Sequence, residues 1–138
     1  VVSAYQNVVT NHFTMIGDSE YDYKGEPMAA IQYKSRSITI RHASSRHFKT
    51  ASADIKIFGG PQHPDHIQLE GLIFTDSAPI AIDIGPKVKN ITVSSVTARR
   101  ENGMAAIQVA EPSARLANIE TAGYQTSIKF AGKTNHLS

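Results

Sequence analysis

Ala81-Ile82-Asp83-Ile84 and Ala106-Ile107-Gln108-Val109 are one short phrase written twice: small, aliphatic, polar, apolar. Working outward, the phrase returns as Ser127-Ile128-Lys129-Phe130 and Ala30-Ile31-Gln32-Tyr33, and Asp54-Ile55-Lys56-Ile57 fills the gap between the first two occurrences along the chain. With the aliphatic residue as marker, positions 31, 55, 82, 107 and 128 lie 24, 27, 25 and 21 residues apart. A unit of that length is one coil of a solenoid, in which no unit buries a core alone and each is stable only against its neighbours.

Most repeats carry a second alternating run: Ile38-Thr39-Ile40, Ile91-Thr92-Val93, Leu116-Ala117-Asn118-Ile119, and a longer version from Ile67 to Phe74. These runs are rich in β-branched residues and bounded by Gly, Pro, Asn or Ser, which marks short strands separated by turns. Stacked in parallel at ~4.8 Å, successive coils align their inward residues into columns. One predicted column is Ile31, Ile55, Ile82, Ile107 and Ile128; the matching outward ladder is Gln32, Lys56, Asp83, Gln108 and Lys129. A helical fold is disfavoured because no stretch sustains apolar spacing at i, i+3, i+4 and i+7, and Asn102 to Glu111 is closed by Pro112. A β-sandwich accounts for alternation but not for recurrence of one tetrad. The expected fold is therefore all-β, a right-handed parallel β-helix of about five to six short coils forming a single domain over 1–138.

Units such as Lys89-Asn90-Ile91-Thr92-Val93-Ser94-Ser95-Val96 resemble the strand-turn-strand phrasing of the pectin-lyase-like β-helix superfamily. The resemblance spans Ala30 through Lys129. It implies a fold shared by polysaccharide lyases, epimerases, glycosidases and phage tailspikes, and it leaves the activity open. Five or six coils is short for that superfamily, and Val1-Val2-Ser3-Ala4-Tyr5 reads as the middle of a strand, so the chain is expected to be a segment of a longer polypeptide or one whose ends are covered by partners.

Composition narrows the field. The 138 residues are 41% apolar, enough for a core, and hold no run near the ~18 apolar residues of a spanning helix, so no membrane segment is expected. The absence of cysteine excludes disulfides and thiolate metal sites. A net charge of +2, without aromatic-interleaved basic motifs, gives no reason to expect nucleic acid. The charges are segregated: from Glu26 to Asp54 no acid intervenes, while Lys34, Arg36, Arg41, Arg46 and Lys49 fall there with His42 and His47. From Lys56 to Lys87 the order reverses, with Asp65, Glu70, Asp76 and Asp83 and no Lys or Arg between.

The most unusual segment is Gly59-Gly60-Pro61-Gln62-His63-Pro64-Asp65-His66-Ile67-Gln68. Its glycines and prolines make a turn that delivers His63, Asp65 and His66 ahead of a strand. It is similar to the His-x-Asp-Gly-Ile-Gln phrase of β-helix proteins acting on polysaccharides, with His66 standing where that phrase has glycine. An imidazole beside a carboxylate can move a proton near neutral pH, which makes His63, Asp65 and His66 the candidate catalytic group. The same residues offer N and O ligands, but no fourth ligand is apparent and no metal or other cofactor is called for. A turn whose polar side chains cap backbone N–H groups explains the segment equally well. Candidate substrate contacts are Arg41, His42 and Lys49 on the basic coil, Gln68 beside the turn, and Lys56 and Asp83 on the ladder; cations there would grip uronate or sulfate. The bland alternative is that ladder residues are polar because they face water, with Lys56 and Asp83 forming a surface ion pair worth ~0–1 kcal/mol. Arg99-Arg100-Glu101-Asn102-Gly103 reads as a charged turn between coils.

Two functions fit. One is a carbohydrate-active or carbohydrate-binding β-helix acting on an extended acidic polysaccharide, as a lyase, epimerase, glycosidase or tailspike-like depolymerase. The other is a non-catalytic structural or interaction module, such as a spike or shaft segment. Unpaired strand edges at the ends of a stack call for cover, so a homotrimer or other self-association is expected, at an extracellular or virion-surface location.

Overall fold

A computed structural model describes residues 7–12, 14–17, 21, 29–31, 37–57, 66–111 and 113–130. Nine strands are present among them: β1 (Asn7–Asn11), β2 (Thr14–Ile16), β3 (Ala29–Ile31), β4 (Ser37–Arg46), β5 (Ala53–Ile57), β6 (His66–Thr75), β7 (Ile80–Ile84), β8 (Ile91–Val109) and β9 (Arg115–Phe130). Every pairing is parallel, and all nine belong to one sheet. The sheet curls on itself because β8 pairs β6 through its first half and β7 through its second. The result is an all-β solenoid with three strand faces. Face A stacks β1 on the first halves of β4 and β6, and these on the starts of β8 and β9. Face B stacks β2 on the second halves of β4 and β6 and the middles of β8 and β9. Face C stacks β3, β5, β7 and the ends of β8 and β9.

β4, β6, β8 and β9 run through the corner between faces A and B without breaking, and in the first coil β1 gives way to β2 there. What turns them is one left-handed residue at the same level of each coil: His12 (φ 56°), His42 (53°), Gly71 (66°), Ser95 (56°) and Asn118 (57°). His42 falls between the registered pairs Arg41–Glu70 and Ala43–Leu72, so it sits opposite Gly71; Ser95 and Asn118 follow by the same register. A residue with positive φ redirects the chain within one peptide, and His, Gly and Asn are among the types that tolerate it best. The rings of His12 and His42 stack at this corner, centroids 4.9 Å apart.

Inward residues form the expected columns. Ile55, Ile82, Ile107 and Ile128 are in direct register, and the first three are essentially fully buried. Ile40, Leu69, Val93 and Leu116 make a second column on face A, and Ala43, Leu72, Val96 and Ile119 a third on face B. Each fully buried Ile or Leu contributes roughly 1.5–3 kcal/mol relative to an exposed one, which is why the stack rather than any coil is the stable unit.

One register differs from expectation. Ile31 lies opposite Ile57, and the residue opposite Ile55 is Ala29. A slip of two residues keeps every side chain on its own face of the strand, so alternation alone does not choose between Ile55 and Ile57 as the partner. The outward ladder Lys56–Asp83–Gln108–Lys129 is in register; Gln32 lies outside the described residues, and Ala30 is the position opposite Lys56.

Candidate functional site

The outward side of face A carries rows of polar residues one coil apart. Thr39, Gln68, Thr92 and Arg115 make one row, and Arg41, Glu70, Ser94 and Ala117 the next. They are outward because their neighbours Ile38, Ile40, Ile67, Leu69, Ile91 and Val93 take the inward positions. This face holds a groove of about 460 Å³, lined by His66, Gln68, Asn90, Thr92, Ser113 and Arg115 with Ile67 and Ile91. The groove offers an imidazole, two amides, two hydroxyls and a guanidinium, a set able to donate to and accept from the hydroxyls of a saccharide. Its lining residues Gln68, Thr92 and Arg115 come from three successive coils.

The candidate catalytic group is divided. His66 opens β6 at the groove and is exposed, whereas His63 and Asp65 lie outside the described residues. The candidate contact residues spread over three regions. Gln68 is in the groove. Arg41 is on the same face, its Nε 3.6 Å from Glu70 Oε2, and His42 is at the A–B corner against His12. Lys56 and Asp83 lie on face C, adjacent in register. There Asp83 Oδ1 accepts a hydrogen bond from Gln108 Nε2 at 3.3 Å, and the Lys56 ammonium makes no ion pair with it. Lys49 belongs to the loop between faces B and C. His66, Gln68 and Arg41 share face A, whereas Lys56 and Asp83 lie on face C. Among the described residues no group of three or more His, Asp and Glu side chains is placed to hold a metal ion.

Thr92, Ser113 and Arg115 were not singled out from the sequence. The signal was present in the repeat: Thr92 and Arg115 occupy the level of Gln68 one and two coils later.

A buried polar joint, which the repeat pattern does not mark, lies at the corner between faces B and C. Asp54, fully buried at the second position of β5, accepts from Ser45 Oγ at 2.6 Å and from the Ala78 N–H at 2.7 Å. It thereby ties β4 and β5 of one coil to the turn of the next. Ser77, also fully buried, bonds the Tyr124 hydroxyl and donates to the Ala78 carbonyl at 2.7 Å. Arg100 clamps the outside, donating from Nη1 to the Ser77 carbonyl at 2.8 Å and the Lys49 carbonyl at 3.2 Å. Burial dominates the Asp54 carboxyl, pushing it from 3.8 up to about 6 against the lowering effects of Ser45, the Ala78 N–H and Arg100. Burial likewise pushes the Tyr124 phenol up to about 12. Both groups serve the fold, since every polar atom in such a joint must find a partner.

Two proteins are similar to this chain along nearly its whole length. A protein described only as phage-related, YobO of Bacillus subtilis (strain 168), is 38% identical over 134 residues, 97% of this chain. The pre-neck appendage protein of Bacillus phage B103 is 23% identical over 134 residues, 95% of this chain. The chain spans only about one sixth of the length of these relatives, 17% and 16% respectively. No family model matches the chain, and no solved structure does.

Proposed function

We propose that this chain is a rigid segment of a phage appendage on the virion surface: a right-handed, pectin-lyase-like β-helix of five to six coils that carries shape and associates with copies of itself as a homotrimer, without turning over a substrate. The observation that carries this reading is the similarity to a phage-related protein and to a pre-neck appendage protein over 97% and 95% of the chain. The architecture supports it. Apolar columns run through the stacked coils without a break, which gives a solenoid stiffness along its axis. Right-handedness follows from the strong preference of parallel crossovers for that hand.

A second reading is favoured by the groove on face A, whose His66, Gln68, Thr92 and Arg115 suit a linear polysaccharide laid along the axis. In it, His63 and Asp65 add a proton-transferring pair just ahead of His66. One preparation tests both. Sedimentation equilibrium at micromolar concentration is expected to give a trimer, and a panel of acidic polysaccharides followed by ultraviolet absorbance and reducing ends is expected to show no turnover. A stable monomer contradicts the self-association, and sustained release of new ends replaces the structural reading with the catalytic one.

A further inference from the structure

We infer that face B is the surface through which copies of this chain meet, arranged in parallel about a three-fold axis that runs along the solenoid. The inference rests on the homotrimer proposed above and assigns it a face.

Two outward rows make up face B. Thr14, Ser44, Ile73, Thr97 and Glu120 are in register on the side nearer face A. Ile16, Arg46, Thr75, Arg99 and Ala122 are in register on the side nearer face C. Both rows point outward because the residues between them, Ser45, Phe74 and Ala98, are buried. Four large apolar side chains are exposed among the described residues, and two of them, Ile16 (60%) and Ile73 (53%), stand on this face. Ile73 has Ser44 and Thr97 as its neighbours one coil away on either side, and both are too short to cover it.

Charge selects a second copy as the occupant. Identical copies set around an axis parallel to the solenoid present the same residue at the same height, so a row near that axis meets itself. A charged row then meets like charge, which costs free energy. Face A carries Arg41, Glu70 and Arg115 in its outward rows, and face C carries Lys56, Asp83 and Lys129 in its ladder. The first row of face B is uncharged through four successive coils, from Thr14 to Thr97, with Ile73 among them. It is the row that can face its own copies.

The charges that face B does hold suit the same arrangement. About a three-fold axis the face C side of one copy lies against the face A side of the next. Arg99, on the first side, then meets Glu120 of the adjacent copy, which is one coil away along the axis, ~4.8 Å. An arginine side chain spans that offset. Within the chain the two are not paired: the ion pairs among the described residues are Arg41–Glu70 and His47–Asp76.

The test is sedimentation equilibrium of the whole chain at micromolar concentration, with a thermal melt confirming that each variant is folded. Ile73→Arg is expected to give monomers where the parent is trimeric, because it sets three like charges around the axis. Ile73→Ser, which fits the exposed site without strain, is expected to weaken association at least tenfold. Ser94→Arg on face A and Gln108→Arg on face C are expected to leave the trimer intact. Arg99→Glu alone is expected to weaken association at least tenfold, and the double variant Arg99→Glu/Glu120→Arg to restore it. A trimer that survives both Ile73 variants, or one broken instead by Ser94→Arg or Gln108→Arg, overturns the assignment of face B and leaves the homotrimer standing. A double variant no better than Arg99→Glu overturns the parallel arrangement. A monomeric parent removes the homotrimer itself and the interface with it.

Discussion

Asp54→Asn tests the buried carboxyl at the corner between faces B and C. In the folded chain its carboxyl titrates near 6, pushed up from 3.8 chiefly by burial. That difference amounts to ~3 kcal/mol of penalty for carrying the charge inside. Because the folded state holds the proton more tightly than the unfolded one, the group's contribution is fully present below pH 3.8 and is lost as pH rises through about 6. Between about pH 7 and pH 5 roughly 1 kcal/mol of it is recovered. The amide is nearly isosteric. Its oxygen can keep the Ala78 N–H, and its NH₂ can donate to Ser45 Oγ once that hydroxyl rotates. The assay is urea unfolding of parent and variant across this pH range. The stability of the variant relative to the parent is expected to rise by about 1 kcal/mol from pH 5 to pH 7. Parallel pH profiles would refute the placement of an ionisable carboxyl in this joint.

Two further predictions concern the stack. Ile82→Ala opens a cavity between Ile55 and Ile107 and is expected to cost ~2–5 kcal/mol by urea unfolding, whereas Gln108→Ala, outward on the next strand, stays within ~0.5 kcal/mol; similar losses at both would mean that the faces are misassigned. Gly123→Ala is expected to cost at least ~2 kcal/mol, because it combines a left-handed backbone with overlap on the Arg100 carbonyl. Gly71→Asn, at a level where Asn118 already adopts the same φ, should cost under ~1 kcal/mol.

Much of the fold was legible because the solenoid repeats its chemistry. Ile55, Ile82, Ile107 and Ile128 were placed in one column from spacing alone, and Lys56, Asp83, Gln108 and Lys129 in one ladder. Spacing puts Ile31 opposite Ile55, but it lies opposite Ile57, because the alternation of a strand is blind to a two-residue slip. The A–B corner was invisible for a different reason. It repeats a backbone conformation rather than a residue, and His42, Gly71, Ser95 and Asn118 have little else in common. Arg99 to Gly103, expected to be a turn between coils, is an irregularity inside β8, since charged residues beside a glycine suit a bulge as well as a turn. The candidate site was legible only in part. His66 and Gln68 share a groove, but which other residues complete it depends on coil register. Lys56 and Asp83 went to another face because proximity along the chain says nothing about which side of a three-sided coil a residue occupies.

The solenoid requires coils stacked in order along one axis. The chain has no cysteine, so spin labels can be introduced cleanly at Thr39 paired in turn with Gln68, Thr92 and Arg115, outward residues of one row on face A. Electron paramagnetic resonance should report separations that grow from pair to pair by about one strand spacing, ~4.8 Å. A separation that fails to grow from Gln68 to Thr92 to Arg115 would contradict the solenoid.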